Sequence, residues 1–337
     1  MMKTVVCQSP GDLRLVDRPL PVVAKGDVLL RVRRIGLCGT DMHIFRGTQP
    51  YLEYPRVMGH ELSGEVVTAP AGSCLEPGDT VYVMPYLSCG KCVACRQGKT
   101  NCCTAIQVLG VHRDGGMAEY LALPAEFVFK TDGISLDQAS MLEFLAIGAH
   151  AVRRGKVGAG HRVLVVGGGL IGIAAALFAK LAGGEVTVLD SRDDRLAFCR
   201  RAIAVPHVVT VGENDKSALS MLTNGKFFDV VFDATGNVKA MERGLEFVAH
   251  GGTYVLVSIV RGRISFDDPE FHKRETTLLG SRNATAGDFR TVLAAMKAGL
   301  VPTDLMNTHR TTLAEFFDVL PAWMDASSNV IKAIVEV

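Results

Sequence analysis

The sequence predicts an α/β chain in two parts, a mostly β region followed by a doubly wound, parallel-sheet region. Up to about residue 130, short apolar runs are repeatedly broken by Gly and Pro. From about residue 160, continuous apolar runs alternate with amphipathic helical stretches, the texture of parallel strands covered on both faces. The length, 337 residues, exceeds what a single hydrophobic core organises, so two domains are expected.

In order, β-like runs are read at Thr4 to Cys7, Val28 to Ile35, Gly64 to Thr68, Thr80 to Met84 and Met117 to Leu123. Alternation is plainest in Val28-Leu29-Leu30-Arg31-Val32-Arg33, and turn signals such as Pro77-Gly78-Asp79 separate the runs. This region reads as a barrel-like or folded sheet. Ala139, Leu142, Leu145, Ala146 and Ala149 then recur at helical spacing, which predicts a helix from near Asp137 to Arg154. Strands are expected at Arg162 to Val166, Glu185 to Leu189, Val208 to Val211, Asp229 to Asp233 and Thr253 to Val257. Helices are expected at Leu170 to Leu181, Arg192 to Ala202 and Val238 to Phe247, so the doubly wound domain begins near residue 150. Gly280 to Ala298 starts as a strand end and becomes a helix, and Val330 to Val337 reads as a final strand that pairs in either domain.

Composition narrows the function classes. Hydrophobic residues make up 48% and charged residues 21%, as in packed soluble proteins. The net charge of +1 leaves no field to hold a nucleic-acid backbone or an anionic membrane. Residues 163–179 are free of charge, but Gly167-Gly168-Gly169 inside them argues for a strand, a turn and a buried helix, not a membrane span. The N-terminus lacks the apolar core of a secretory signal, and a cytoplasmic protein is expected. Five of the nine cysteines fall between residues 89 and 103, a clustering that fits metal ligation in a reducing compartment and not a disulfide framework.

Two stretches carry chemistry in that framework. Strand Arg162 to Val166 runs into Gly167-Gly168-Gly169-Leu170-Ile171-Gly172, a G-x-G-x-x-G between strand and helix. Gly167 permits the turn, Gly169 lets a pyrophosphate approach the backbone, and Gly172 lets helix and strand pack closely. Asp190 ends the next strand, where it can accept hydrogen bonds from an adenosine ribose and repel a 2′-phosphate, so NAD is favoured over NADP. Arg192 and Arg195 lie close enough to blur that preference. Thr235 and Ser258 follow parallel strands at the carboxyl edge, where ligands bind.

Gly59-His60-Glu61 sets an imidazole beside a carboxylate, Cys38 adds a thiolate upstream, and Glu143 adds a second carboxylate on an otherwise apolar helix face. That mixture of S, N and O donors suits zinc. Cys89, Cys92, Cys95 and Cys103 follow C-x2-C-x2-C-x7-C, a spacing that closes a tetrahedral site with no open position and so suits structural zinc. Cys102 is an alternative fourth ligand. An iron–sulfur cluster is disfavoured, because the short last gap followed by proline is missing.

These motifs, with Cys38-Gly39-Thr40-Asp41-Met42-His43 and Gly115-Gly116-Met117-Ala118-Glu119-Tyr120, stand in an order that resembles the zinc-dependent medium-chain alcohol dehydrogenases. The likeness covers essentially the whole chain and is nearest the polyol, threonine and sugar-acid branch. Tyr54-Pro55-Arg56-Val57-Met58-Gly59-His60-Glu61 resembles hexonate dehydrogenases of the galactonate type. The resemblance implies a GroES-like domain over 1–145 completed by 286–337, and a Rossmann NAD-binding domain over 146–285. It implies catalytic zinc on Cys38 and His60 with Glu61 and Glu143 sharing the remaining place, and a proton relay through Thr40 and His43. It also implies a substrate-facing Arg282, with Arg46, Tyr51 and Arg113 as looser pocket candidates, and a homodimer or homotetramer. The expected activity is NAD-dependent oxidation of a secondary alcohol of a sugar acid or polyol. Threonine-type and sorbitol-type dehydrogenases are the near alternatives; a metal-free reductase and a non-catalytic nucleotide-binding regulator are the distant ones.

Overall fold

The structure, a computed structural model, describes residues 1–337. Its contacts divide the chain into one unit of Met1–Glu143 with Leu293–Val337 and a second of Phe144–Val292.

In the first unit, strand Asp27–Gly36 is central. Val28, Leu30 and Val32 turn inward while Arg31 is exposed, the period of two that the sequence shows. Along one edge it pairs antiparallel with Glu61–Thr68, which continues to Thr80–Val83 and Val128–Lys130. Tyr120–Pro124 and Lys332–Glu336 also pair antiparallel with it, over residues 27–31 and 34–36 respectively. The tail strand therefore belongs to this unit, where Asn307–Thr312 joins it in parallel. A separate three-stranded sheet places Met2–Ser9 between Asp12–Arg18 and Arg56–Val57. Tyr86–Leu87 and Gln107–Val108 form a two-stranded ribbon beneath the cysteine-rich loop.

The second unit holds six parallel strands, in the spatial order His207–Thr210, Glu185–Asp190, Arg162–Val166, Phe228–Asp233, Val248–Leu256 and Thr277–Gly280. This is the doubly wound order, with the chain reversing direction at the first strand, Arg162–Val166. Helix Leu170–Leu181 is buried along most of its length, which its alanines allow.

The single helix expected from Asp137 to Arg154 is instead two, Leu136–Ala139 and Leu142–Arg154. Ser135 and Gln138 cap the first reciprocally, and the Ser140 hydroxyl donates to the Asp137 carbonyl at 2.8 Å, so the turn closes before the second begins. Glu143 consequently lies in the first turn of a new helix, where a carboxylate is favoured. Helix Val238 to Phe247 likewise ends early, at Gly244, before a 3-10 turn.

Candidate functional site

Cys38 follows strand Asp27–Gly36 and caps helix Gly39–Phe45 in an extended conformation. Fully buried Asp41 accepts from the Cys38 backbone N–H at 3.0 Å and from that of Gly59 at 3.2 Å, so one carboxylate ties the two turns together. Gly59 has φ +89°, and a Cβ there would meet Ile35 and Met117 side chains at 3.1 Å. Adjacent residues of a regular strand face opposite ways; the left-handed turn at Gly59 lets His60 and Glu61 face one place. Ligand atoms of Cys38, His60 and Glu61 all lie within 4.8 Å of one another.

Glu143 stands beside this set and outside its three members. Its Oε1 accepts from the Tyr86 hydroxyl, and its Oε2 is buried with no hydrogen-bond partner. His60 Nδ1 and Glu61 Oε1 are orphaned in the same way. Three buried polar atoms without partners are costly unless a further group satisfies them. The S, N and O donors fit zinc, and the orphaned atoms fit coordination to a cation. The electrostatics agree. Burial works against a charged His60, yet the nearby Cys38, Asp41 and Glu143 charges overcome it and push the imidazole well above its ordinary pKa. Glu61 is lifted to about 7 by burial, against the pull of Lys332, whose ammonium reaches Glu61 Oε2 and donates to the Leu37 carbonyl at 2.9 Å.

Thr40 lies in the first turn of the Cys38-capped helix, and His43 is exposed with Nδ1 2.9 Å from Thr48 Oγ1. Arg46 donates to the Met324 carbonyl at 3.3 Å, and Tyr51 stacks on His112 with ring centroids 6.2 Å apart. The second donor cluster is Cys89, Cys92, Cys95 and Cys103, whose sulfurs also lie within 4.8 Å of one another; Cys102 is exposed and stands apart. Backbone N–H groups of Cys95 and Thr104 hold Cys92 down to about 5, favouring the thiolate that a metal needs.

In the second unit the glycine turn has the geometry its spacing demands. Gly167 has φ +98°, and a Cβ on Gly172 would fall 1.7 Å from the Gly167 carbonyl oxygen. Gly169 caps helix Leu170–Leu181 and faces open space, room for a phosphate at the free N–H groups of the first turn, to which Leu170 and Ile171 contribute. Asp190 accepts from the backbone N–H of Gly168 and, at 2.8 Å, from that of Arg192, so it braces the turn itself. Arg195 packs its Cβ against Gly168. Thr235 donates through its N–H and hydroxyl to Asp233, and its methyl lies beside Gly167. Ser258 follows strand Val248–Leu256, and Arg282 is exposed just beyond strand Thr277–Gly280.

Asp41, Tyr86 and Lys332 are residues of the site that the sequence motifs do not mark. Asp41 shows a signal in being an acid in an otherwise uncharged ligand segment; Tyr86 and Lys332 show none, because their partners are 57 and 271 residues away.

A metal-donor set of this kind and a dinucleotide turn, in one chain, define a metal-dependent dehydrogenase. Residues 24–133 match the model of the alcohol dehydrogenase GroES-like domain, and residues 171–298 match that of the zinc-binding dehydrogenases. The chain is 42% identical to the L-galactonate-5-dehydrogenase of Escherichia coli K12, over 94% of each chain. It is 31% identical to a 2-dehydro-3-deoxy-L-galactonate 5-dehydrogenase of Pseudoalteromonas atlantica, over 92% of each. A crystal structure of an Escherichia coli CFT073 alcohol dehydrogenase complexed with NADH superposes with a TM-score of 0.93 at 27% identity, covering 100% of this chain and 99% of that one. The chain belongs to the zinc-dependent medium-chain alcohol dehydrogenase family, and is an enzyme of that type.

Proposed function

We propose that the protein oxidises a secondary hydroxyl of a sugar acid, or of a polyol, with NAD as hydride acceptor. The observation that carries the reading is the Cys38, His60 and Glu61 set, in which His60 and Glu61 are buried and carry orphaned polar atoms. The likeness to an L-galactonate-5-dehydrogenase favours a carboxylated sugar. In this reading Cys38 and His60 hold the catalytic zinc, Glu61 and Glu143 share its remaining protein position, and Cys89, Cys92, Cys95 and Cys103 hold a structural zinc. Zinc, when bound, supplies Lewis acidity that lowers the pKa of a substrate hydroxyl, and NAD supplies the hydride-accepting nicotinamide.

The chain's own residues do the rest. Lys332 offsets part of the negative charge that Cys38, Glu61 and Glu143 bring together. Thr40 accepts the substrate hydroxyl's proton as it releases its own, and His43, exposed and hydrogen-bonded to Thr48, delivers a proton to solvent. Gly167, Gly169, Leu170, Ile171 and Gly172 present backbone to the pyrophosphate, and Asp190 faces the adenosine ribose with Arg195 beside it. Thr235 and Ser258 line the carboxyl edge, and Arg282 pairs with a substrate carboxylate or hydroxyl. The two units act as a catalytic and a dinucleotide-binding domain of a homodimer or homotetramer in the cytoplasm. No helix is long and apolar enough to cross a membrane.

The test is a screen of the zinc-loaded enzyme with hexonates, uncharged polyols and amino alcohols, each with NAD and NADP. Hexonates with NAD should give kcat/KM at least about tenfold above the polyols, the discrimination of one paired charge. Equal rates would sink the sugar-acid preference.

A further inference from the structure

Tyr86 joins the two metal-donor clusters of the first unit. Strand Tyr86–Leu87 leads into Cys89, and it pairs antiparallel with Gln107–Val108 in the register Tyr86 to Val108 and Leu87 to Gln107. The ribbon is extended by Leu109, whose N–H donates to the Pro85 carbonyl at 3.1 Å. The segment carrying Tyr86 is therefore the neck of the four-cysteine loop, with its backbone paired along one edge from Pro85 to Leu87. The ring is 3% exposed, and the hydroxyl donates to Glu143 Oε1. Phenylalanine would bury the same ring, so the hydroxyl marks the partner as the purpose of the residue.

A carboxylate turns about a soft, roughly two-fold terminal torsion, so the hydrogen bond made by one oxygen decides where the other points. Here the oxygen left over, Glu143 Oε2, is buried and unpartnered, as are His60 Nδ1 and Glu61 Oε1. We propose that Tyr86 is the positioning residue of the catalytic metal centre: by fixing Glu143 Oε1 it presents Oε2 to the Cys38, His60 and Glu61 set. The neck beneath the cysteine loop supplies the rigid base from which it does so. Outer partners of this kind typically change metal affinity by about ten- to a hundredfold. This inference rests on the proposed metal set and is independent of which alcohol is oxidised.

The experiment uses the full-length protein with zinc in the four-cysteine loop and cobalt(II) exchanged into the other set. The wild type, Tyr86→Phe, Glu143→Gln and the double variant are compared by ligand-field absorption and by competition with a chelator. Tyr86→Phe should shift the cobalt bands and weaken cobalt binding about tenfold or more, while the loop zinc stays at wild-type stoichiometry. In the Glu143→Gln background the same substitution should add less than about twofold, because its effect passes through Glu143. Unchanged bands and affinity in Tyr86→Phe, or additive losses in the double variant, overturn the proposal. A wild-type protein that takes up no cobalt outside the loop overturns the metal set as well, which separates the two failures.

Discussion

Lys332 is fully buried, with its ammonium held between Glu61 and the Leu37 carbonyl. Removing one partner of a buried ion pair leaves the other uncompensated, at a cost of about 3–5 kcal/mol. Lys332→Met in metal-stripped protein should lose that much, read by urea unfolding. Glu61 modulates the loss through pH. Burial already raises its carboxyl to about 7, and without the lysine it rises further. A carboxyl raised in the folded state is stabilising below its unfolded pKa, and that contribution is lost as pH rises through the folded value. The penalty of Lys332→Met should therefore be smaller at about pH 5 than at about pH 8. Glu61→Gln in the same chain should recover part of it, and a pH-independent penalty would show that Glu61 is not the residue left behind. Lys332 was hidden in the sequence for a physical reason. A lysine that starts an apolar strand ordinarily faces water, and nothing local reports a carboxylate 271 residues earlier. Cys38 and His60 were legible because their types and their glycine-marked turns carry the chemistry within a few residues.

The parts of two helices that lie in the second unit show how elements are clasped by charge. Asp288, in the first turn of helix Ala286–Lys297, accepts from His150 at 2.9 Å and from Arg153 at 2.8 Å, both on helix Leu142–Arg154, and from Thr285 at 2.7 Å. Burial alone would raise this carboxyl; the hydrogen bonds from His150, Arg153 and Thr285 overcome it and hold it well below the usual range. A depressed carboxyl stabilises above its unfolded pKa and loses that contribution as pH falls through the folded value. Melting temperatures of metal-stripped protein taken downward from about pH 5 should fall less steeply in Asp288→Asn than in the wild type, while at neutral pH the variant should be the less stable. Parallel slopes would assign the acid sensitivity elsewhere. The strands from Arg162–Val166 to Val248–Leu256 and the helices Leu170–Leu181 and Asp193–Ile203 were legible because their periods are uninterrupted, whereas the short helices Asp215–Leu222 and Asp268–Lys273 were not read. The break at Ser140 and Met141 was not, since Ala139, Leu142 and Leu145 keep helical spacing across a turn closed by a serine side chain.

At the scale of the whole chain, the donor set for metal lies entirely in one unit and the glycine turn entirely in the other. Chelation should therefore abolish alcohol oxidation while leaving NAD affinity within about threefold of the loaded enzyme, measured by titration calorimetry. Loss of NAD binding along with metal would show that the dinucleotide turn depends on the first unit. The two-part architecture was legible from the change in period near residue 150, but the destination of the tail was not, because an apolar strand satisfies either sheet. Its place beside Asp27–Gly36 has a consequence in time. Ribosomes add about 5–20 residues per second, so Glu61 waits roughly 15–50 s for Lys332 to be made. Through that interval the nascent chain carries Cys38, His60 and Glu61 without their internal cation, and the set is complete only after Lys332 has been made.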